Sequence, residues 1–190
     1  MSLRPSRLLL AASAALLLGG CSLWAGRFGD LPTPAHVDLA RYMGHWRIIA
    51  NIPYFAEAGC QDSIESYALR PDGDIDNWFS CRKESLDAPL QRIAQARAVV
   101  VNHDSNAEWN VQFYRFLKIK YVVLAVDPDY RWAAIAHPSR QYGWVVARDP
   151  SLPDATYQHI LSLFAQQGYD AQRFVKVPQS PVALEPPPFK

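Results

Sequence analysis

Neither sign of charge is in surplus: 19 lysines and arginines stand against 18 aspartates and glutamates, a formal net charge of +1. Binding to a phosphate backbone draws on a basic surplus, so nucleic acid is not an expected partner. Long apolar runs are also missing. The stretch from Leu8 to Leu18, interrupted only by Ser13, is shorter than the roughly 20 residues of a bilayer-spanning helix. Catalytic patterns are absent as well. His36, His45, His103, His137 and His159 have no metal-ligand spacing, and neither a glycine-rich phosphate loop nor a nucleophile elbow occurs. The expectation is therefore a protein that is not an enzyme and needs no metal or cofactor. What the chain does have is 49% apolar and 12% aromatic residues over 190 positions, enough to bury one core. Its 15 prolines and 9 glycines, in no repeat, favour many turns over a helical bundle.

The first twenty residues read as a secretory leader. Arg4 and Arg7 precede the apolar stretch, which has the length of a signal h-region. Leu18-Gly19-Gly20-Cys21 follows and resembles the lipobox of bacterial lipoproteins. That resemblance implies cleavage before Cys21, lipidation of Cys21 with acyl chains such as palmitate and, with Ser22 rather than aspartate next, sorting to the outer membrane. More than one chain is needed for stable anchoring, at about 0.8 kcal/mol per buried methylene. The expected layout is a signal peptide over 1–20, a lipid-anchored tether over 21–36, a folded domain over 37–179 in the periplasm and a proline-rich tail over 180–190. Cys60 and Cys81 remain, and in an oxidising compartment a lone pair reads as a disulfide.

Within the domain, short runs rich in β-branched and aromatic residues alternate with turn formers, the pattern of an antiparallel barrel or sandwich. Strands are expected near His45–Ile52, Ser63–Arg70, Ile75–Cys81, Arg92–Val101, Trp109–Arg115, Lys120–Val126, Tyr130–His137 and Tyr142–Arg148. One helix follows: Pro153 and Asp154 suit its first turn, Tyr157, Ile160, Leu161 and Phe164 form one stripe, and Gly168 suits its end. Tyr121–Val126 and Trp132–Ala136 are apolar on both faces, as strands covered on both sides are. These features predict an all-β fold, an eight-stranded up-and-down antiparallel barrel with one C-terminal α-helix packed outside. The run Phe174–Val177 could add a short strand.

In such a barrel the hairpin loops alternate between ends. One set, 71–74, 102–108 and 127–129, is polar and acidic; the other, 53–59, 82–90, 115–119 and 138–140, carries Tyr54, Phe55, Leu86, Phe116, Leu117 and Ile119. The second set reads as an open mouth meeting something apolar. The alternatives are that these residues fold inward as a plug or form a homodimer contact through the rim. Cys60 and Cys81 both fall at this end.

The sequence Tyr42-Met43-Gly44-His45-Trp46 resembles the first signature of the lipocalins, Gly-x-Trp on the first strand. Asp129-Tyr130 is similar to the second signature, with Pro128 in place of the usual threonine, and Arg148 to the third. The resemblance spans about Val37 to Gln179. Trp144 and the Cys60–Cys81 pair narrow it to the bacterial lipoprotein and apolipoprotein D-like branch. It implies that Gly44, Trp46, Asp129, Tyr130 and Arg148 close one end of the barrel, with Arg148 over the Trp46 ring. It also implies a cavity for small hydrophobic ligands such as fatty acids or lysophospholipids, with Trp144 as its leading contact. Counting alternate residues from Arg148 and Trp46 adds Tyr142, Ile48 and Ala50, and Trp78, Phe113 and Tyr121 are further candidates for the lining. Two other readings remain: an isomerase-type enzyme on the same barrel, and an envelope module that binds other proteins.

Overall fold

A computed structural model describes residues 30–113 and 117–181. The chain divides into residues 1–30 and residues 31–190, and every described element lies in the second unit. The expected leader, Cys21, most of the tether, the mouth residue Phe116 and the last nine residues of the proline-rich tail lie outside the described residues.

The elements run α1 (Leu39–Tyr42), β1 (Gly44–Asn51), β2 (Cys60–Leu69), β3 (Ile75–Lys83), β4 (Gln91–Val100), β5 (Glu108–Phe113), β6 (Leu117–Val126), β7 (Trp132–Ala136), β8 (Gly143–Ala147), α2 (Asp154–Gln166) and β9 (Val175–Lys176). Consecutive strands from β1 to β8 pair antiparallel, and β1 pairs with both β8 and β2, which closes the barrel. Closure removes the exposed edges that an open sheet of this size would leave. The short strand β9 adds to β1 at Ala50 and Asn51.

Two apolar layers follow from the strand alternation. Inside the barrel lie Trp46, Ile48, Tyr67, Ile75, Trp109, Val123 and Ile135. Outside, Ile49, Ala50, Val122, Leu124, Ala134, Ala136, Val145 and Ala147 pack under Tyr157, Ile160 and Phe164 of α2. This is why β6, β7 and β8 are apolar at nearly every position. Gly143 sits where a side chain could not: a Cβ there would come within 2.9 Å of the Phe174 ring.

β1 leaves β2 halfway along. Its first half pairs with β2 through Arg47↔Ile64, and beyond that β2 bulges between Gln61 and Ile64 while β9 takes its place. Asp62, in the left-handed region at φ 47° and fully buried, holds this seam. Its carboxylate accepts from Arg82 Nε at 3.0 Å and from the Ser180 backbone N–H at 2.6 Å, and it lies 3.7 Å from Arg47 Nη1. The chain after β9 is tied down further by Val177 N–H to the Ile49 carbonyl and Gln179 Nε2 to the Ile48 carbonyl. The tail thus begins as a strap across β1, its first residue fixed by the Asp62 carboxylate.

Cys60 and Cys81 are joined in a disulfide, with Cα atoms 5.5 Å apart. It closes a loop 21 residues long, for which loop-closure entropy gives a stabilisation of roughly 3 kcal/mol.

Candidate ligand-binding site

The closed end is built around an indole. Trp46 is fully buried, its Nε1–H donates to the Tyr42 carbonyl at 2.7 Å, and the Arg148 guanidinium lies 3.7 Å from its ring centroid. Such a stack contributes roughly 0.5–2 kcal/mol. The same guanidinium donates to the carbonyls of Arg41, Met43 and His45 at 2.8–2.9 Å, fixing the chain that enters the barrel. Gly44 makes this approach feasible: its φ is +97°, and a Cβ would lie 3.3 Å from Arg148 Nη1. Tyr130, at φ 58°, accepts at its hydroxyl from the Asp38 N–H, with Arg41 over its ring. Asp129 is exposed, and its own N–H donates to Asp127, whose carboxylate also accepts from Arg131 N–H. Asp127 holds this turn through these two backbone donors.

Above the base the inner wall loosens. Trp46, Ile48, Ile75, Ala98, Trp109 and Val123 are between 0 and 1% exposed. Glu65, Ala94, Phe113, Tyr121 and Trp144 point the same way yet keep exposed surface. Glu65 lies level with Trp46 and Tyr121 with Trp109, so of these five Phe113, beside the 113–117 hairpin, and Trp144, beside the rim residue Tyr142, are the partly exposed inner side chains at the mouth.

The expected lining residues divide accordingly. Trp144, Phe113, Tyr121 and Ile48 face the interior, Ile48 near the floor. Tyr142 stands at the rim, 39% exposed, with its ring against Tyr54 and His137 at 5.6 Å. Ala50 is a correction. The β1–β8 register shifts between Ile48 and Ala50, the extra residue reverses the alternation, and Ala50 packs outward in the layer under α2. Trp78 is a second correction. Ile75, Phe79 and Cys81 face inward along β3, so Trp78 faces outward, where the Arg92 guanidinium lies 5.7 Å from its ring.

Polar groups not anticipated from the sequence also line the interior. Glu65 pairs with Trp46 across β1–β2 and shares its face; Asn77 Nδ2 donates to its Oε2 at 2.5 Å. Burial pushes the Glu65 carboxyl up to about 8, opposed by the Asn77 hydrogen bond and reinforced by the negative charge of Glu57. Glu57 comes from the mouth loop, whose short 3-10 turn at Phe55–Glu57 folds its side chain inward. It accepts from Trp144 Nε1 at 3.0 Å, from the Tyr54 hydroxyl at 3.1 Å and from Asn51 Nδ2. Burial again raises its affinity for a proton, with those three donors opposing. Deeper still, Tyr121 is hydrogen-bonded through its hydroxyl to Tyr42 at 2.8 Å and Tyr67 at 3.0 Å, and its ring stacks on Trp109 at 4.8 Å. The interior therefore offers aromatic faces, two carboxyl groups and a chain of three hydroxyls. A carbon-only lining, as the aromatic count suggests, is not what the fold builds.

A concavity of about 520 Å³ lies at the seam between the 53–60 loop and the 175–178 segment, lined among others by Asn51, Tyr54, Phe55, Glu57, Val175 and Pro178. Phe55 is 91% exposed at its edge.

Comparison with known proteins agrees with this architecture. A family model described as a lipocalin-like domain matches residues 37–179. The outer membrane lipoprotein Blc of Escherichia coli (strain K12) is 28% identical over 179 residues, covering 90% of this chain and 96% of that protein. Temperature-induced lipocalin-1 of Arabidopsis thaliana is 31% identical over 156 residues, covering 76% of this chain and 80% of its own. Among solved structures, insecticyanin from the tobacco hornworm Manduca sexta superposes with a TM-score of 0.63 at 18% identity, covering 80% of this chain and 85% of that one. With the family model spanning most of the chain and eight strands closed into a barrel, the chain belongs to the lipocalin family.

Proposed function

We propose that this lipocalin is an outer-membrane-anchored carrier or store for small amphiphiles such as fatty acids or lysophospholipids. The observation that carries the reading is the gradient along the inner wall, from a floor sealed at Trp46 to a mouth end where Phe113 and Trp144 face inward yet keep exposed surface. A concave apolar site with a few placed polar groups is the usual form of a small-molecule site. Anchoring through Cys21 is supported by the leader and lipobox pattern and by relatives named as outer membrane lipoproteins. It would hold the open barrel beside a source of acyl chains.

Burying about ten methylenes supplies roughly 8 kcal/mol, the size of a micromolar dissociation constant. Association itself costs several kcal/mol, so contacts to the head group must offset it. Titrating the protein with a single-chain amphiphile and following tryptophan fluorescence tests the reading. Saturable quenching is expected, and Trp144→Phe is expected to remove most of the signal while leaving the fold intact. A titration without saturation up to solubility would reject the proposal.

A further inference from the structure

The two ends of the barrel present different chemistry to solvent. Phe55 is 91% exposed, Val175 53%, Leu117 47% and Tyr142 39%. All four stand at the mouth: Phe55 in the 53–59 loop, Leu117 opposite Phe113 where β6 begins, Tyr142 just before β8, and Val175 beside Asn51 at the end of β1. Charge divides along the same axis. Lys83 and Arg173 are held at the mouth by neutral groups, Lys83 Nζ donating to the Ala58 carbonyl at 2.9 Å and Arg173 Nη1 to Gln141 Oε1 at 3.1 Å. Lys118 and Lys120 pair with Gln112 and Asn110 in the adjoining hairpin; they alternate with the inward Tyr121, so they point outward, and both are exposed. Against these cations the mouth shows Glu84, Asp87 and Asp170, while Glu57 and Asp62 are buried and engaged by their own donors. The turns of the closed end carry Asp72, Asp74, Asp104, Asp127 and Asp129.

We propose that the mouth rim docks on an anionic phospholipid surface, with Phe55 and Leu117 entering the head-group region and Lys83, Lys118, Lys120 and Arg173 meeting the phosphates. Apolar side chains and basic side chains on one face are the two contributions that hold a protein on such a surface. Neither suffices alone here, and the fold gathers both at one end. The acidic turns of the closed end are repelled by the same surface, which sets the orientation. Charge complementarity also decides between occupants: a second copy offering the same rim would bring like charges together, whereas an anionic lipid surface neutralises them. Docking of the mouth is separate from anchoring through Cys21 and from the identity of the guest. Its consequence is that a single-chain amphiphile passes between bilayer and barrel without its acyl chain crossing water.

The test uses the full-length protein as the cell processes it, carrying a polarity-sensitive dye on a single introduced thiol. Ala56→Cys places the dye beside Phe55, and Val101→Cys places it on an exposed residue of the closed end. Each is mixed with vesicles of phosphatidylcholine alone and with vesicles that also contain phosphatidylglycerol. The dye at position 56 is expected to shift to the blue on the anionic vesicles only, and the dye at 101 on neither. The shift is expected to disappear in about 1 M salt, where the screening length falls to about 3 Å, and in the double variant Lys118→Glu, Lys120→Glu. Loss of the shift in Phe55→Ser is expected as well, and all three residues are exposed, so the fold is retained. No shift at 56 on anionic vesicles overturns the proposal, as do equal shifts at 56 and 101. A shift that is the same on both kinds of vesicle and survives the lysine substitutions overturns it too, as does one that grows with protein concentration in the absence of lipid, which would make a second copy the occupant. Flotation with the neutral vesicles reports the Cys21 anchor independently, so failure of the anchor and failure of mouth docking are told apart.

Discussion

Trp46→Ala is expected to lower the stability of the barrel by about 3–5 kcal/mol, the cost of truncating a fully buried tryptophan. That is a large share of the ~5–15 kcal/mol that typically separates folded from unfolded chains. The effect has three sources. The indole is fully buried beside the Tyr42 ring at 4.9 Å, so its removal leaves a cavity at the closed end of the barrel. The Arg148 guanidinium loses the ring it covers at 3.7 Å. The Tyr42 carbonyl loses the indole donor and shares only the longer contact from Arg148, at 3.2 Å. Trp46→Phe keeps much of the volume and the aromatic face, and is expected to cost less than half as much. Urea unfolding of the two variants against the parent checks the order; an alanine variant within about 1 kcal/mol of the parent would remove Trp46 from the role of keystone.

Asp62→Ala is expected to cost a similar 3–5 kcal/mol, by a different route. Asp62 is inaccessible to solvent, and its partners are already committed: the Arg47 side chain is 9% and that of Arg82 22% exposed. Removing the carboxylate takes the buried counter-charge from Arg47 and Arg82 and frees the Ser180 N–H, so of the two bonds that join the strap to Asp62 only that from the Asp62 N–H to the Pro178 carbonyl remains. Asp62→Asn, which keeps an acceptor without the charge, is expected to fall between alanine and the parent. Hydrogen exchange distinguishes this from a general loss of stability. The amides of Val177 and Ser180 should lose protection first, and uniform loss across β1 to β8 would argue against a seam held by Asp62.

The architecture was legible in the sequence because two periodicities change at the right places. Alternation in the early strands gives way to continuous apolar runs in β6 and β7, and the stripe Tyr157, Ile160, Phe164 supplies the helix that covers them. Trp144 was equally legible: no bulge intervenes between it and Arg148 on β8, so counting by twos keeps its phase. The same count fails on β1, where a single extra residue near Ile49 turns Ala50 away from the interior. On β3 no anchored residue set the phase, and Trp78 was placed on the wrong face. Glu65 was findable, since it lies directly opposite Trp46 in the β1–β2 pairing, but a carboxylate inside a barrel runs against the expectation that acids stay in water. Glu57 carried no signal of that kind. Its inward course depends on the 3-10 turn at Phe55–Glu57 and on donors from two strands distant in sequence or separated by the loop.

The central claim is that the guest lies inside the barrel, above Trp46, and not in the outer groove at the seam. Photo-crosslinking with a single-chain amphiphile carrying a diazirine near the middle of its chain, followed by peptide mass spectrometry, tests it most directly. Adducts on Phe113, Tyr121 and Trp144, competed away by the unlabelled amphiphile, are the predicted result. Competable adducts confined to Phe55, Val175 and Pro178, with the inner aromatics unmodified, would contradict it.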